Sequence, residues 1–136
     1  MAEVDYTRVS FRLFAEDLDP EAVSELLGVE PTRSWRRGER RKVLVPTYKS
    51  GAWFLDIERR EPGDLDAQLS ELCRRLPSDL ETWNRLGAEV DRSIFCGLFM
   101  EETNCGLSIR PSTLQGIARL GAPLELDVYA LTEDDD

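Results

Sequence analysis

The sequence predicts an α+β fold: one two-layer domain over residues 1–136, a mostly antiparallel sheet with helices on one face. Three observations predict it. Apolar and polar residues alternate in several segments, as in strands with one buried face. Between them lie stretches of helical apolar spacing, each bracketed by a cap and a glycine or proline stop. The strand segments also come in runs broken by helices, where a parallel α/β fold would alternate strictly.

From Tyr6 to Phe14, Thr7, Val9, Phe11 and Leu13 take one face of a strand, and Arg8, Ser10 and Arg12 the other. Asp19 before Pro20 is an N-cap followed by proline at the first helical position. Val23, Leu26 and Leu27 then share a face, and Gly28 stops the helix. Val43, Leu44 and Val45 read as a short edge strand closed by Pro46. After the turn Lys49-Ser50-Gly51, Trp53, Leu55 and Ile57 alternate with Phe54, Asp56 and Glu58 in a strand with one wet face. Asp64 caps a helix with the stripe Leu65, Leu69, Leu72, Cys73 and Leu76, ended by Pro77. Ser78 to Glu81 is a capping-box pattern for a shorter helix with Leu80, Trp83 and Leu86 inward and Gly87 as its stop.

Ile94 to Met100 is nearly continuous apolar sequence, the mark of a central strand. Cys105, Leu107 and Ile109 alternate in a further strand. Ser112, with Gln115 three residues on, opens a helix with Leu114, Ile117, Ala118 and Leu120 inward, stopped by Gly121. Leu124, Leu126, Val128 and Ala130 alternate in the last strand, before an acidic flexible tail at about 132–136. The predicted order is β-α-β-β-α-α-β-β-α-β. Two halves of β-α-β-β character would make a duplicated ferredoxin-like arrangement. Strand, proline, helix and Leu-Gly at Phe11 to Gly28, repeated at Leu107 to Gly121, support it.

The chain has 136 residues, 41% of them hydrophobic, which suits one soluble domain with a real core. Lys and Arg number 17 against 27 Asp and Glu, for a net charge of −10, and there is no histidine. That absence removes Ser-His-Asp and Cys-His catalysis and His-ligated zinc. Cys73, Cys96 and Cys105 are odd in number and contain no C-x-x-C pair, so they read as reduced thiols in the cytoplasm. No cofactor and no metal site is legible. The opening MAEVDYTR lacks the basic start and apolar stretch of a signal peptide, and no apolar run is long enough to span a bilayer.

The most unusual segment is Arg33-Ser34-Trp35-Arg36-Arg37-Gly38-Glu39-Arg40-Arg41-Lys42, with six basic residues and one acid. Its charge of +5 leaves −15 on the rest of the chain. Arginine forks beside Trp35 suit phosphate or carboxylate, whereas a solvated hairpin would spend them on the protein's own acids. Nucleic acid is a poor fit, because the acidic remainder repels the same polymer. Trp53 and Trp83 suit the core, while Trp35 among charges suits either a ring stacked on arginine or an anchor of the hairpin on the core. Asp127 and Tyr129 could meet Asp56 and Glu58 for acid–base work if their strands are neighbours. Otherwise those carboxylates pair with Arg8 and Arg12 across strands. No nucleophile with a base can be named, so a binding protein is favoured over an enzyme.

The run LDPEAVSELLGVEPTRSWRRGE, followed by Trp53 and by Leu126-Asp127-Val128-Tyr129, resembles a bacterial domain of unknown function numbered 4279. The matched landmarks run from about Phe11 to Tyr129. The resemblance implies a single α+β domain of bacterial source and carries over no catalytic residue. It points to Trp35, Gly38, Trp53, Asp127 and Tyr129 as positions the family pattern holds.

Two functional expectations follow. The first is a non-catalytic protein-binding domain, of the immunity type that covers a basic toxin or enzyme, because opposite charge speeds encounter. The second is a small-ligand module taking an anionic metabolite at Trp35, Arg36, Arg37, Gly38 and Arg40. Exposed sheet edges leave room for a homodimer.

Overall fold

Alternation in the first strand decides the architecture. The computed structural model describes residues 3–40 and 45–131. Strand β1 (Tyr6–Ala15) sits at the centre, with β3 (Gly51–Arg60) antiparallel on one side and β4 (Asp91–Met100) antiparallel on the other. Strand β2 (Arg33–Trp35) pairs antiparallel with β3 at one edge, and β5 (Leu124–Ala130) pairs parallel with β4 at the other. The sheet order is therefore β2-β3-β1-β4-β5.

Helices α1 (Pro20–Leu27), α2 (Leu65–Arg75), α3 (Leu80–Leu86) and α4 (Pro111–Leu120) lie on one face of this sheet. Val9, Phe11 and Leu13 of β1, Trp53, Leu55 and Ile57 of β3, and Ile94, Cys96 and Leu98 of β4 point into one core. They meet Val23 and Leu27 of α1, Leu65, Leu69 and Leu72 of α2, Trp83 and Leu86 of α3, and Ile117 and Leu120 of α4. The α+β expectation with helices on one face holds.

Local signals account for the helix ends. Asp19 accepts from Ala22 N–H at 3.3 Å, Pro20 opens α1, and Gly28 ends it at φ 71°, where a side chain would be strained. Asp64 caps α2 through Ala67 N–H at 3.1 Å.

Four expectations need correction. Cys105 to Ile109 forms no strand beyond an isolated bridge at Cys105. The free side of β4 is already taken by β5, so the segment crosses to α4 with Cys105 and Ile109 packed on the core. The second β-α-β-β half is thus incomplete, and the duplicated ferredoxin-like arrangement does not form. Leu80 and Leu114, expected inside, are 72% and 51% exposed, because Trp83, Leu86, Thr113, Ile117 and Leu120 fill the inward positions of their helices; Ala118 is exposed as well. The caps also move: α3 starts from Asp79, and α4 from Arg110 with Pro111 at its first position. Among the described residues no side chain caps the first turn of α4, and Asp66 of α2 instead holds the N-cap residue, accepting the Arg110 N–H at 2.9 Å. Finally, the strand beside β3 is Arg33–Trp35. The strand expected at Val43, Leu44 and Val45 falls outside the described residues except for Val45, and the acidic tail at 132–136 falls outside them entirely.

Candidate functional site

Among the described residues, no helix lies over the second face of the sheet. Strand alternation sends Tyr6, Arg8, Ser10, Arg12 and Phe14 of β1 to this side. Register then lays the neighbours beside them. Arg12 lies between Phe54 and Ser93, and Phe54 pairs on its far side with Arg33. Ser10 lies between Asp56 and Phe95, and Tyr6 beside Phe99, which pairs with Tyr129.

Two aromatic groups organise the face. Tyr6, Phe99 and Tyr129 stack in a row, with centroids 4.1 and 4.5 Å apart, and the Arg59 guanidinium lies 3.7 Å over the Tyr6 ring. Their faces are spent on one another, so the row offers little to a stacking base. Gly97 makes room for this packing: a Cβ there would stand 3.0 Å from Phe99 and 3.4 Å from Phe95. In the second group, Arg33 lies 4.5 Å and Arg12 5.5 Å from the Phe54 ring, and Arg12 lies 4.1 Å over Phe95.

Between these groups is a concavity of about 360 Å³ lined by Arg8, Arg12, Arg33, Arg59, Ser10, Asp56 and Phe95 together with Val9 and Ile57. Four arginines face one carboxylate there, in a chain whose net charge is −10. Asp56 is engaged: it takes Arg33 Nε at 2.9 Å and Nη2 at 3.3 Å, and the Ser10 hydroxyl at 2.5 Å. Burial works against its charge, but these donors win and hold its carboxyl below the usual range. Arg59 reaches Glu61 at 2.8 Å. Arg8 and Arg12 form no salt bridge among the described residues. The Arg12 Nε is buried without a hydrogen-bond partner, and burial together with neighbouring Arg33 depresses this guanidinium's pKa. Asp56 and Glu125 offset part of this, and Arg12 is left as a half-buried cation beside another cation with its Nε unpaired among the described residues.

The residues singled out from sequence are scattered. Trp35 stacks on Tyr48 at 4.2 Å and meets the Phe54 edge at 5.1 Å, so of its two expected roles the ring takes packing on aromatics, not stacking on arginine. Arg36 binds Asp19 at 2.8 Å and also Glu21; Arg37 binds Glu16 at 2.6 Å and Asp17 at 2.7 Å. Arg36 and Arg37 therefore answer the acids around the start of α1. Gly38 turns the chain at φ 88° and bonds Tyr48 O, and Arg40 is exposed. Trp53 is fully buried, and its indole donates to Ser24 Oγ at 3.0 Å. Asp127 and Tyr129 bond each other at 2.5 Å, which pushes the phenol up. They do not meet Asp56: β1 and β4 intervene, about 14 Å in strand spacings. Burial pushes the Cys96 thiol up to about 12, so it is no nucleophile. Among the described residues no group of His, Cys, Asp and Glu could hold a metal ion.

Sequence reasoning put Arg8, Ser10 and Arg12 on a wet face but missed Arg33 and Arg59 as their neighbours. The available signal was Tyr6-Arg8-Ser10-Arg12-Phe14, two arginines framed by two aromatic rings on the side that should be plain and polar. Because Arg36 and Arg37 are exposed and paired only with surface acids, replacing both with glutamine should move Tm by less than about 4 °C. Thermal unfolding followed by circular dichroism checks this, and a larger loss would make the segment a structural clamp.

Among the described residues, then, the domain is a one-sided sheet whose open face is cationic and lined by aromatic rings. The chain belongs to the family described as a domain of unknown function, DUF4279, which it matches over residues 5–131. No curated protein and no solved structure matches it.

Proposed function

We propose that this domain is a non-catalytic binding module that holds a phosphate- or carboxylate-bearing ligand on the uncovered sheet face. The observation that carries the reading is Arg12, with a buried, unpartnered Nε in a concavity shared with Arg8, Arg33 and Arg59. Planar guanidinium forks suit such anions, and a pre-paired Asp56–Arg33 holds one fork in place before the ligand arrives. About 360 Å³ is room for a small molecule or a single acidic side chain. The anionic-ligand expectation therefore moves from the Trp35–Arg40 segment to the sheet face. The three free thiols suit a reducing cytoplasm in a bacterial source. A protein partner, the immunity-type reading, has its own supporting observation in the uncapped β5 edge.

The test compares thermal unfolding of the wild type and Arg12→Met in inorganic phosphate, citrate or adenosine monophosphate against chloride at equal ionic strength. One of these anions should stabilise the wild type, by about 2.7 kcal/mol at a hundredfold excess over Kd. Arg12→Met should lose that response while its own Tm stays level or rises, since methionine needs no donor partner and keeps the contact with Phe95. A folded Arg12→Met that responds like the wild type, or a wild type indifferent to all three anions, refutes the anion site.

A further inference from the structure

The two edges of the sheet are unlike. Strand β2 is three residues long, whereas β5 runs for seven, Leu124 to Ala130, and among the described residues no strand lies beyond it. Its main-chain phase follows from two bonds, Ile94 N–H to Pro123 O and Leu131 N–H to Met100 O. Odd-numbered residues turn their N–H and C=O to β4, which leaves those of Leu124, Leu126, Val128 and Ala130 facing outward. Side chains add to this. Leu126 and Val128 are 58% and 59% exposed, and Glu125 and Asp127 stand exposed on the opposite side. Soluble proteins blunt such edges with charges, above all lysine, with proline or with a bulge; β5 has no lysine, proline or bulge, and its charges are the acids Glu125 and Asp127.

A second copy fits poorly. When β5 pairs antiparallel with itself over all seven residues, Asp127 falls opposite Asp127, a destabilising like-charge pair. The complementary strand carries lysine or arginine toward Glu125 and Asp127 and aliphatic side chains toward Leu126 and Val128. We infer that β5 is a docking edge for an extended basic-and-aliphatic segment of another protein, added as a sixth strand. The inference stands apart from the anion site on the sheet face.

The experiment uses a short synthetic peptide alternating Lys and Val, and its Glu and Val counterpart, with calorimetric titration and amide hydrogen exchange on the intact chain. The Lys-Val peptide should bind at least about tenfold more tightly, lose affinity as salt rises, and slow exchange at the Leu126 and Val128 amides. Replacing Glu125 and Asp127 together with lysine should reverse the preference. Arg12→Met should leave it unchanged, which keeps this result separate from the anion reading. Equal affinity for the two peptides, protection at other amides instead, or loss of binding in Arg12→Met would overturn the inference. So would a concentration-dependent dimer of the free chain that protects these same amides, because the occupant would then be a second copy.

Discussion

Trp53→Ala should destabilise the domain by about 3–5 kcal/mol, a large part of the 5–15 kcal/mol that holds a domain of this kind together. The indole is wholly buried on β3, meets the Phe11 ring edge-on at 6.4 Å, and donates to Ser24 Oγ at 3.0 Å. Alanine removes the largest volume in the core, and the surrounding sheet and helices cannot close over it. Trp53→Phe keeps a ring against Phe11 and loses only the donor to Ser24 and part of the volume, so about 1–2 kcal/mol is expected. Urea unfolding by tryptophan-independent circular dichroism measures both. Equal losses would mean that the hydrogen bond to Ser24, not the packed volume, carries the residue's contribution. The family resemblance points to Trp53, and a core role of this size explains why a family pattern would hold it.

What the sequence could reveal divides along locality. The caps of α1 and α2 and the alternation of β1 and β3 are encoded within a turn or two, and Asp19, Pro20, Gly28 and Asp64 sit where expected. Neighbour choice is not encoded that way. Cys105, Leu107 and Ile109 alternate like a strand, yet the free side of β4 is taken by β5 from beyond α4. The same limit applied to charge. Six basic residues in one segment were visible at once, but the acids that pair with Arg36 and Arg37, namely Glu16, Asp17, Asp19 and Glu21, lie at or just before the start of α1 in sequence. The arginines that gather on the sheet face are spread over β1, β2 and β3, and only strand order brings them together.

Gln68→Leu is expected to cost about 2–4 kcal/mol, although it replaces a polar residue with an apolar one on a core-facing stripe. Gln68 is 2% exposed and stands one helical turn from Leu65 and Leu72. Its Nε2 donates to Thr7 O and Glu58 O, each at 3.0 Å, and its Oε1 accepts the Thr7 hydroxyl at 2.5 Å. The need arises from the β1–β3 register, which slips between Thr7↔Arg60 and Val9↔Ile57 so that Glu58 and Arg59 together oppose Arg8. Such a bulge takes main-chain carbonyls out of the ladder, and the amide satisfies them where leucine cannot. A glutamine in an otherwise apolar helix stripe was the sequence signal for this, and it passed unread. The bulge also re-aims the strand: Arg59 lands over Tyr6 on the sheet face, while Arg60 falls on the helix side and reaches Asp64 at 3.8 Å. Gln68→Leu should therefore weaken the anion response as well as the fold, because it frees the segment that positions Arg59. Thr7→Val supplies the comparison. It removes the hydroxyl that Gln68 accepts and that receives Asp64 N–H at 3.0 Å, yet leaves both carbonyl bonds intact. It should cost less than Gln68→Leu and leave the anion response in place. A Gln68→Leu domain with wild-type urea midpoint and wild-type anion response would show that the bulge is held by the sheet alone.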